Sequence, residues 1–376
     1  MFSWKHHEFS SLQTDSDPVT ALRVRRARGR DLGEGRRGMS VQAGLNLEYV
    51  DEGGLESSVG AQHGRLLGIV GFGAMPLALS PALQQEVRWV RIPVLGGQAA
   101  SFEVWTSRKP VTSCGSGGIR AAADGDVLFG SMELEQRAGA SLEALARQAY
   151  MEMFAFMDSQ GYRNLLRVWN YLPRINEAEG GLERYRCFNL GRHEAFRRSG
   201  RDITEENVPA ASVLGCGDGP MVIYFLAAKL PGTPIDNPRQ MAAYHYPEQY
   251  GPRSPIFVRA MLARLAGQQC LMVSGTASIV GHQTVHKGDV RQQAEETLRN
   301  IRTLLQRAWP HGFDNCGEAR MRLKAYVRHA GDMEQIRECV AREFPEQQRG
   351  VYLQSDICRA DLLLEIEGAW FCEAAS

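Results

Sequence analysis

The segment Asp361–Gly368, DLLLEIEG, reads as a strand. Side chains on a strand switch faces at every residue, so Leu364 and Ile366 point one way and Glu365 and Glu367 the other. An apolar strand of this kind belongs inside a sheet, where a carboxylate is costly unless it is paired or put to use. The segment therefore demands a sheet and marks where chemistry should be sought. Cys358 precedes Glu365 by seven residues, in QSDICRAD.

Upstream, strands and helices alternate in two halves of similar order. In the first, Glu86–Pro93, Ala100–Thr106 and Asp126–Glu135 read as strands, Leu142–Ser159 as a helix, Arg163–Tyr171 as a strand and Gly181–Arg198 as a helix. In the second, strands are expected at Pro220–Ala227, Pro255–Ala260 and Cys270–Val280. Asp289 is placed to cap a helix running to Ala308, with Leu298, Ile301, Leu304 and Leu305 on its apolar face. Met321–Arg328, Asp332–Phe344 and Gly350–Gln354 then read as strand, helix and strand. This order predicts an α+β fold of two domains, 45–205 and 209–372, each a mostly antiparallel sheet with helices packed on one face. The linker is expected between Gly200 and Pro209, where Asn207-Val-Pro breaks the helical pattern.

Composition narrows the function classes. The 376 residues carry 43 basic and 43 acidic side chains, a balance that points to neither nucleic acid nor a membrane surface as partner. No run approaches the roughly 18 apolar residues of a membrane helix. The eight cysteines lack CxxC spacing, so thiols in a reducing cytoplasm are expected, with neither a disulfide framework nor a metal site. Residues 1–38 crowd Arg23, Arg25, Arg26, Arg28, Arg30, Arg36 and Arg37 without an apolar core, unlike a secretory signal. They read as a disordered leader, or as a mis-assigned start ahead of Met39.

Polar residues gather in four places. Arg163–Phe196 sets Arg163, Arg167, Arg174, Arg184, Arg186 and Arg192 among Trp169, Tyr171, Tyr185, Phe188 and Phe196. Arginine clamps a carboxylate bidentately and aromatic rings flank a planar ligand, so the segment suits an anionic ring compound. For any single arginine, pairing with Glu177, Glu183 or Glu194 on a solvated face is the plainer reading. Gly275–His286 offers close backbone approach, with Thr276 and Ser278 on one strand face. His282 and His286 are four apart, but Gly281 interrupts the helix such a metal pair needs, so a loop-fixing role is expected. In LKAYVR, Lys324, Tyr326 and Arg328 share a face, and Arg328 is a candidate carboxylate clamp. Tyr250, Arg253 and Arg259, in YGPRSPIFVRA, belong to an extended segment that could close over a pocket.

The stretches NYLPRINE, LERYRCFNLGRHEAF, DNPRQMAAYHYP, YGPRSPIFVRA, SGTASIVGHQTVH and DICRADLLLEIEG, spread between about Asn46 and Trp370, closely resemble the chorismatase family. The resemblance implies two fused RidA/YjgF-like domains and cofactor-independent cleavage of chorismate with release of pyruvate. It implies that Glu365 is the essential acid that protonates the enolpyruvyl methylene. Cys358 would place the chain in the branch forming 3-hydroxybenzoate, with 4-hydroxybenzoate as a possible second product. Tyr171, Arg174, Arg328, Tyr326, Thr276 and Arg186 are the expected substrate-binding residues. A monomer is expected, because a fused chain can supply contacts that smaller relatives make between subunits. The alternatives are hydrolysis of chorismate to a dihydroxycyclohexadiene carboxylate, a non-catalytic binding protein for aromatic-like acids, and a RidA-like imine deaminase.

Overall fold

One succession of elements, strand–helix–strand–helix–strand–strand, occurs three times in the computed structural model, which describes residues 44–374 apart from 63, 77–78, 266–267, 311, 313–315 and 346–349. The Arg-rich segment 1–38 and Met39 lie outside the described residues. The first unit comprises β1 (Leu45–Asp51), α1 (Glu52–Ala61), β2 (Leu66–Gly73), α2 (Pro81–Glu86), β3 (Val87–Val90) and β4 (Ala100–Ser107). Strands β5 (Thr112–Ser113) and β6 (Ile119–Ala123) lead into the second unit. It contains β7 (Val127–Leu134), α3 (Leu142–Ser159), β8 (Asn164–Pro173), a small hairpin of β9 (Ala178–Glu179) and β10 (Leu182–Glu183), α4 (Arg184–Arg198), β11 (Ala210–Cys216) and β12 (Met221–Ala228). Strands β13 (Thr233–Ile235) and β14 (Ala260–Leu265) introduce the third. It contains β15 (Gln268–Thr276), a hairpin of β16 (Ile279–Val280) and β17 (Gln283–Thr284), α5 (Val290–Ala308), β18 (Cys316–Val327), α6 (Met333–Glu343), β19 (Val351–Gln354) and β20 (Leu364–Ala374).

The pairing is the same each time. The last strand of a unit inserts antiparallel between its first and second, and the third lies parallel beside the second, giving β1-β4-β2-β3, β7-β12-β8-β11 and β15-β20-β18-β19. The sheets are therefore mixed, with helices on one face. Asp289 accepts the Gln292 N–H as the α5 cap, a contact worth about 1 kcal/mol. Leu298, Ile301, Leu304 and Leu305 are buried against Leu271, Val273, Leu364 and Ile366 of the sheet below.

The opposite faces of the three sheets bury one another. Equivalent positions of the last strands, Ser101, Val222 and Glu365, pair with Phe72, Tyr171 and Tyr326. Those rings meet: Phe72 and Tyr171 lie 6.1 Å apart, Tyr171 and Tyr326 6.3 Å, with the two hydroxyls at 2.7 Å. Two residues further on, Glu103, Tyr224 and Glu367 converge on Lys324 Nζ at 2.6, 2.8 and 3.0 Å. The units thus surround an approximate threefold axis.

Several expectations change. The repeat is threefold, and the first copy leaves little local signal because α1, EGGLESSVGA, buries only Leu55 and carries almost no apolar face. The step from the second unit to the third falls after Ala228, not at Gly200–Pro209. Pro220–Ala227, assigned above to the second half, corresponds to β12, which pairs with β7 and β8. Pairing between distant strands leaves no trace in local periodicity. The closing strand starts at Leu364, and Pro255–Ala260 is an extended segment preceding β14. Cys372 is disulfide-bonded, contrary to the all-thiol expectation. Cys114, Cys187, Cys216, Cys270, Cys339 and Cys358 are free.

Candidate active site

Where the second unit meets the third, a cavity of about 540 Å³ opens between β11 and the edge of β15. Ala211, Ser212 and Val213 form one wall, and Gly275, Ala277 and Ile279 another. The turn between β19 and β20 contributes Cys358 and Arg359, and Glu365 lines the cavity as the second residue of β20.

Glu365 is 4% exposed. Its carboxyl lies against the backbone of Gly275, where a Cβ would stand 1.8 Å from Oε1. The register of β15 on β20 shifts between Val273 and Thr276, so the glycine sits in a bulge that makes room for the acid. Burial drives the Glu365 pKa up to about 8, neighbouring Glu367 pushes the same way, and Arg167 opposes them. The group therefore holds its proton at neutral pH.

Glu367 shares the face but not the state. Burial alone would raise its pKa, but Lys324 and Arg167 outweigh that, and Ser212 donates a further hydrogen bond, so it is held below the usual value. Arg167 Nη2 and Trp169 Nε1 each donate to it at 2.8 Å, and the Tyr326 hydroxyl at 3.2 Å. One strand thus presents a protonated acid to the cavity and an ionised anchor to the core. At the equivalent positions of the other two units stand Ser101 and Val222, so neither unit repeats the acid there.

The Cys358 thiol is pushed up to about 12, first by burial and then by Glu365, so the sulfur faces the cavity as a neutral thiol. Three arginines border the same space. Arg186 stands 3.4 Å from Glu183. Arg259 is buried, donating from Nη2 to Met241 O at 2.5 Å and to the Tyr246 hydroxyl at 2.8 Å, while its Nε has no partner among the described residues. Arg359 stacks on Tyr250, 3.9 Å from the ring centroid. Tyr185, Tyr246, Tyr250 and Phe257 add aromatic walls.

The cavity brings together Glu365, Cys358 and Arg186 of the expected residues and leaves the others outside its lining. Tyr171 and Tyr326 are fully buried at the threefold axis, where Tyr171 bonds Tyr224 and Tyr326. Arg174 is exposed and paired with Glu177 at 4.0 Å and Asp218 at 3.5 Å. Arg328 spends its guanidinium on the turn that carries Cys358. Thr276 bonds Ser274 O, and the face turned to the cavity is 275, 277 and 279, one residue out of step with the expected 276 and 278. His282 contacts the Tyr250 hydroxyl at 3.1 Å and His286 lies 3.8 Å from Glu296. Arg359, Tyr246, Phe257 and Ser212 were not anticipated. The segment around Tyr250 and Arg259, expected above to close over a pocket, does line one.

Comparison with known proteins identifies the family. The family model described as chorismatase FkbO/Hyg5-like, N-terminal, matches residues 103–227. A 3-hydroxybenzoate synthase of Streptomyces hygroscopicus is 36% identical over 315 residues, 81% of this chain and 91% of that one. A chorismatase of Streptomyces rapamycinicus is 36% identical over 280 residues, 71% of this chain and 81% of its own. A crystal structure of a chorismatase superposes with a TM-score of 0.75 at 31% identity, covering 87% of this chain and 98% of that one. With relatives of this identity matched across most of their length and the same fold in a solved member, this chain belongs to the chorismatase family.

Proposed function

We propose that the protein converts chorismate to pyruvate and 3-hydroxybenzoate without a cofactor. The observation that carries this reading is a carboxyl group that keeps its proton up to about pH 8 at the wall of an arginine-bordered cavity. The volume suits a single small ring compound. Glu365 gives its proton to the enolpyruvyl methylene, and the resulting cation makes the side chain a leaving group. The ring hydroxyl next to the ether carbon then displaces it, the C–O bonding pair leaves with pyruvate, and the hydroxyl proton restores the acid. Rearomatisation of the epoxide yields 3-hydroxybenzoate, so the atoms of chorismate equal those of the two products and no water is consumed.

Arg259, Arg186 and Arg359 are the groups we assign to the two substrate carboxylates. Arg259 has the strongest claim, because it is buried with an Nε that has no partner among the described residues. Cys358 places a compact neutral thiol beside the acid, where a water would otherwise attack and give the non-aromatic diol. We read the three repeated units as RidA-like. Residues of one chain line the cavity, and our reading of the protein is a monomer. Six free thiols fit a cytoplasmic location and the disulfide at Cys372 does not; no helix among the described residues is long and apolar enough to cross a membrane.

The test is chromatography of purified protein with chorismate, quantifying pyruvate and every ring product together. Equimolar pyruvate and 3-hydroxybenzoate is the expected result, and accompanying 4-hydroxybenzoate would mark a dual-product enzyme. Pyruvate with only the diol would overturn the role of Cys358. No turnover by folded protein would overturn the enzyme reading.

A further inference from the structure

The turn Ser355–Leu363 carries Cys358 to the cavity wall and delivers the chain to Glu365, yet it contains no regular structure. A turn of this kind holds a shape only if its carbonyls find donors. Here one side chain supplies donors to three of them, including both that flank Cys358. Arg328, at the end of β18, donates from Nε to Leu362 O at 2.8 Å, and from Nη2 to Ile357 O at 3.1 Å and Arg359 O at 3.0 Å. Its Nη1 reaches Asp356 Oδ1 at 2.6 Å and Asn176 Oδ1 at 3.3 Å. Asn176 in turn donates to Ile357 O at 3.1 Å. The carbonyls immediately before and after Cys358 are thus both tied to one guanidinium.

We propose that Arg328 is a positioning residue that sets the partition between aromatic product and diol, by holding Cys358 where it excludes water. This inference rests on the chorismatase reading above and goes beyond it, because Arg328 lies outside the cavity lining and acts only through the turn. Geometry makes arginine hard to replace. A lysine offers three donors from one point, so it cannot span Leu362 O, Ile357 O and Arg359 O while also meeting Asp356. The turn would relax at Cys358 before it relaxed at Glu365, because Glu365 is held by the strand pairing of β20 with β18, where it faces Tyr326.

The experiment measures the ratio of 3-hydroxybenzoate to diol, with total pyruvate, for the wild type, Arg328→Lys, Cys358→Ala and the double variant. A displacement of about 1 Å at a reacting centre costs on the order of 10²-fold, so Arg328→Lys should lower the ratio by about tenfold or more while pyruvate release falls much less. In the Cys358→Ala background the lysine should change the ratio no further, since residues acting through one another are non-additive. Asn176→Ala, which removes a donor to Ile357 O and an acceptor for Arg328, should shift the ratio in the same direction and serves if Arg328→Lys does not fold. A ratio unchanged in Arg328→Lys and Asn176→Ala, or an additive effect in the double variant, overturns the proposal. A wild type that forms no 3-hydroxybenzoate overturns the chorismatase reading instead, and the inference with it.

Discussion

Replacing Glu365 by glutamine separates the two ideas on which the site rests, that this carboxyl is protonated in the folded protein and that its proton is used. In the unfolded chain the group ionises near its ordinary value of 4.5, whereas burial and Glu367 raise it to about 8 in the fold. Below 4.5 both states are protonated and the contribution of Glu365 to stability is fully present. As the pH climbs towards 8 only the unfolded chain gains by ionising, so that contribution is lost. Each tenfold in acidity constant is worth about 1.4 kcal/mol, so the interval from 4.5 to about 8 corresponds to an upper bound of about 5 kcal/mol. The glutamine amide has no such proton to lose. Urea denaturation of wild type and Glu365→Gln across pH 4.5–8.5 should therefore show the variant becoming progressively more stable relative to the wild type, by at least about 2 kcal/mol at pH 8. Its activity should fall by about 10²- to 10⁴-fold at every pH. Wild-type kcat should decline as the pH rises through about 8, where the acid form is lost. A stability difference that does not change with pH would refute the claim that burial keeps Glu365 protonated, whatever the activity.

Three other substitutions probe the surroundings. In Gly275→Ala the new methyl would stand 1.8 Å from Glu365 Oε1, so the acid must move, and kcat/KM for pyruvate release should drop on the order of 10²-fold. Glu367→Gln leaves Lys324 and Arg167 buried without their shared anion and should destabilise the fold by about 3–5 kcal/mol in chemical denaturation. Arg259→Met should raise KM about 10- to 100-fold with a smaller change in kcat, the signature of a lost charged hydrogen bond to bound substrate. An unchanged KM would move the carboxylate clamp to Arg186 and Arg359.

Strand alternation made the Glu365 face readable without coordinates, since period two is a local property and DLLLEIEG has no other economical reading. For the same reason α5 was placed by its cap and its four apolar side chains. Tyr171 and Tyr326 show the limit. An aromatic residue beside arginines suits a ligand wall and a buried junction equally well, and only the pairing of β8 and β18 with their last strands sends these two to the axis. Arg328 fails in the same way, because a donor fork aimed at backbone carbonyls looks identical in sequence to one aimed at a substrate carboxylate.

By itself the sequence determined the kinds of element, the acid and thiol seven residues apart, and a neutral charge balance, all of which follow from residue type and local spacing. The tertiary structure decided how many units there are, which two of them enclose the cavity, and which carboxylate is a proton donor. Those outcomes depend on contacts between residues more than 100 positions apart, such as Glu367 with Arg167 and Lys324 with Glu103, and on burial and Glu367 outweighing the influence of Arg167 on Glu365. A pKa is set by whatever surrounds the group in space, and chain order does not encode that surrounding directly.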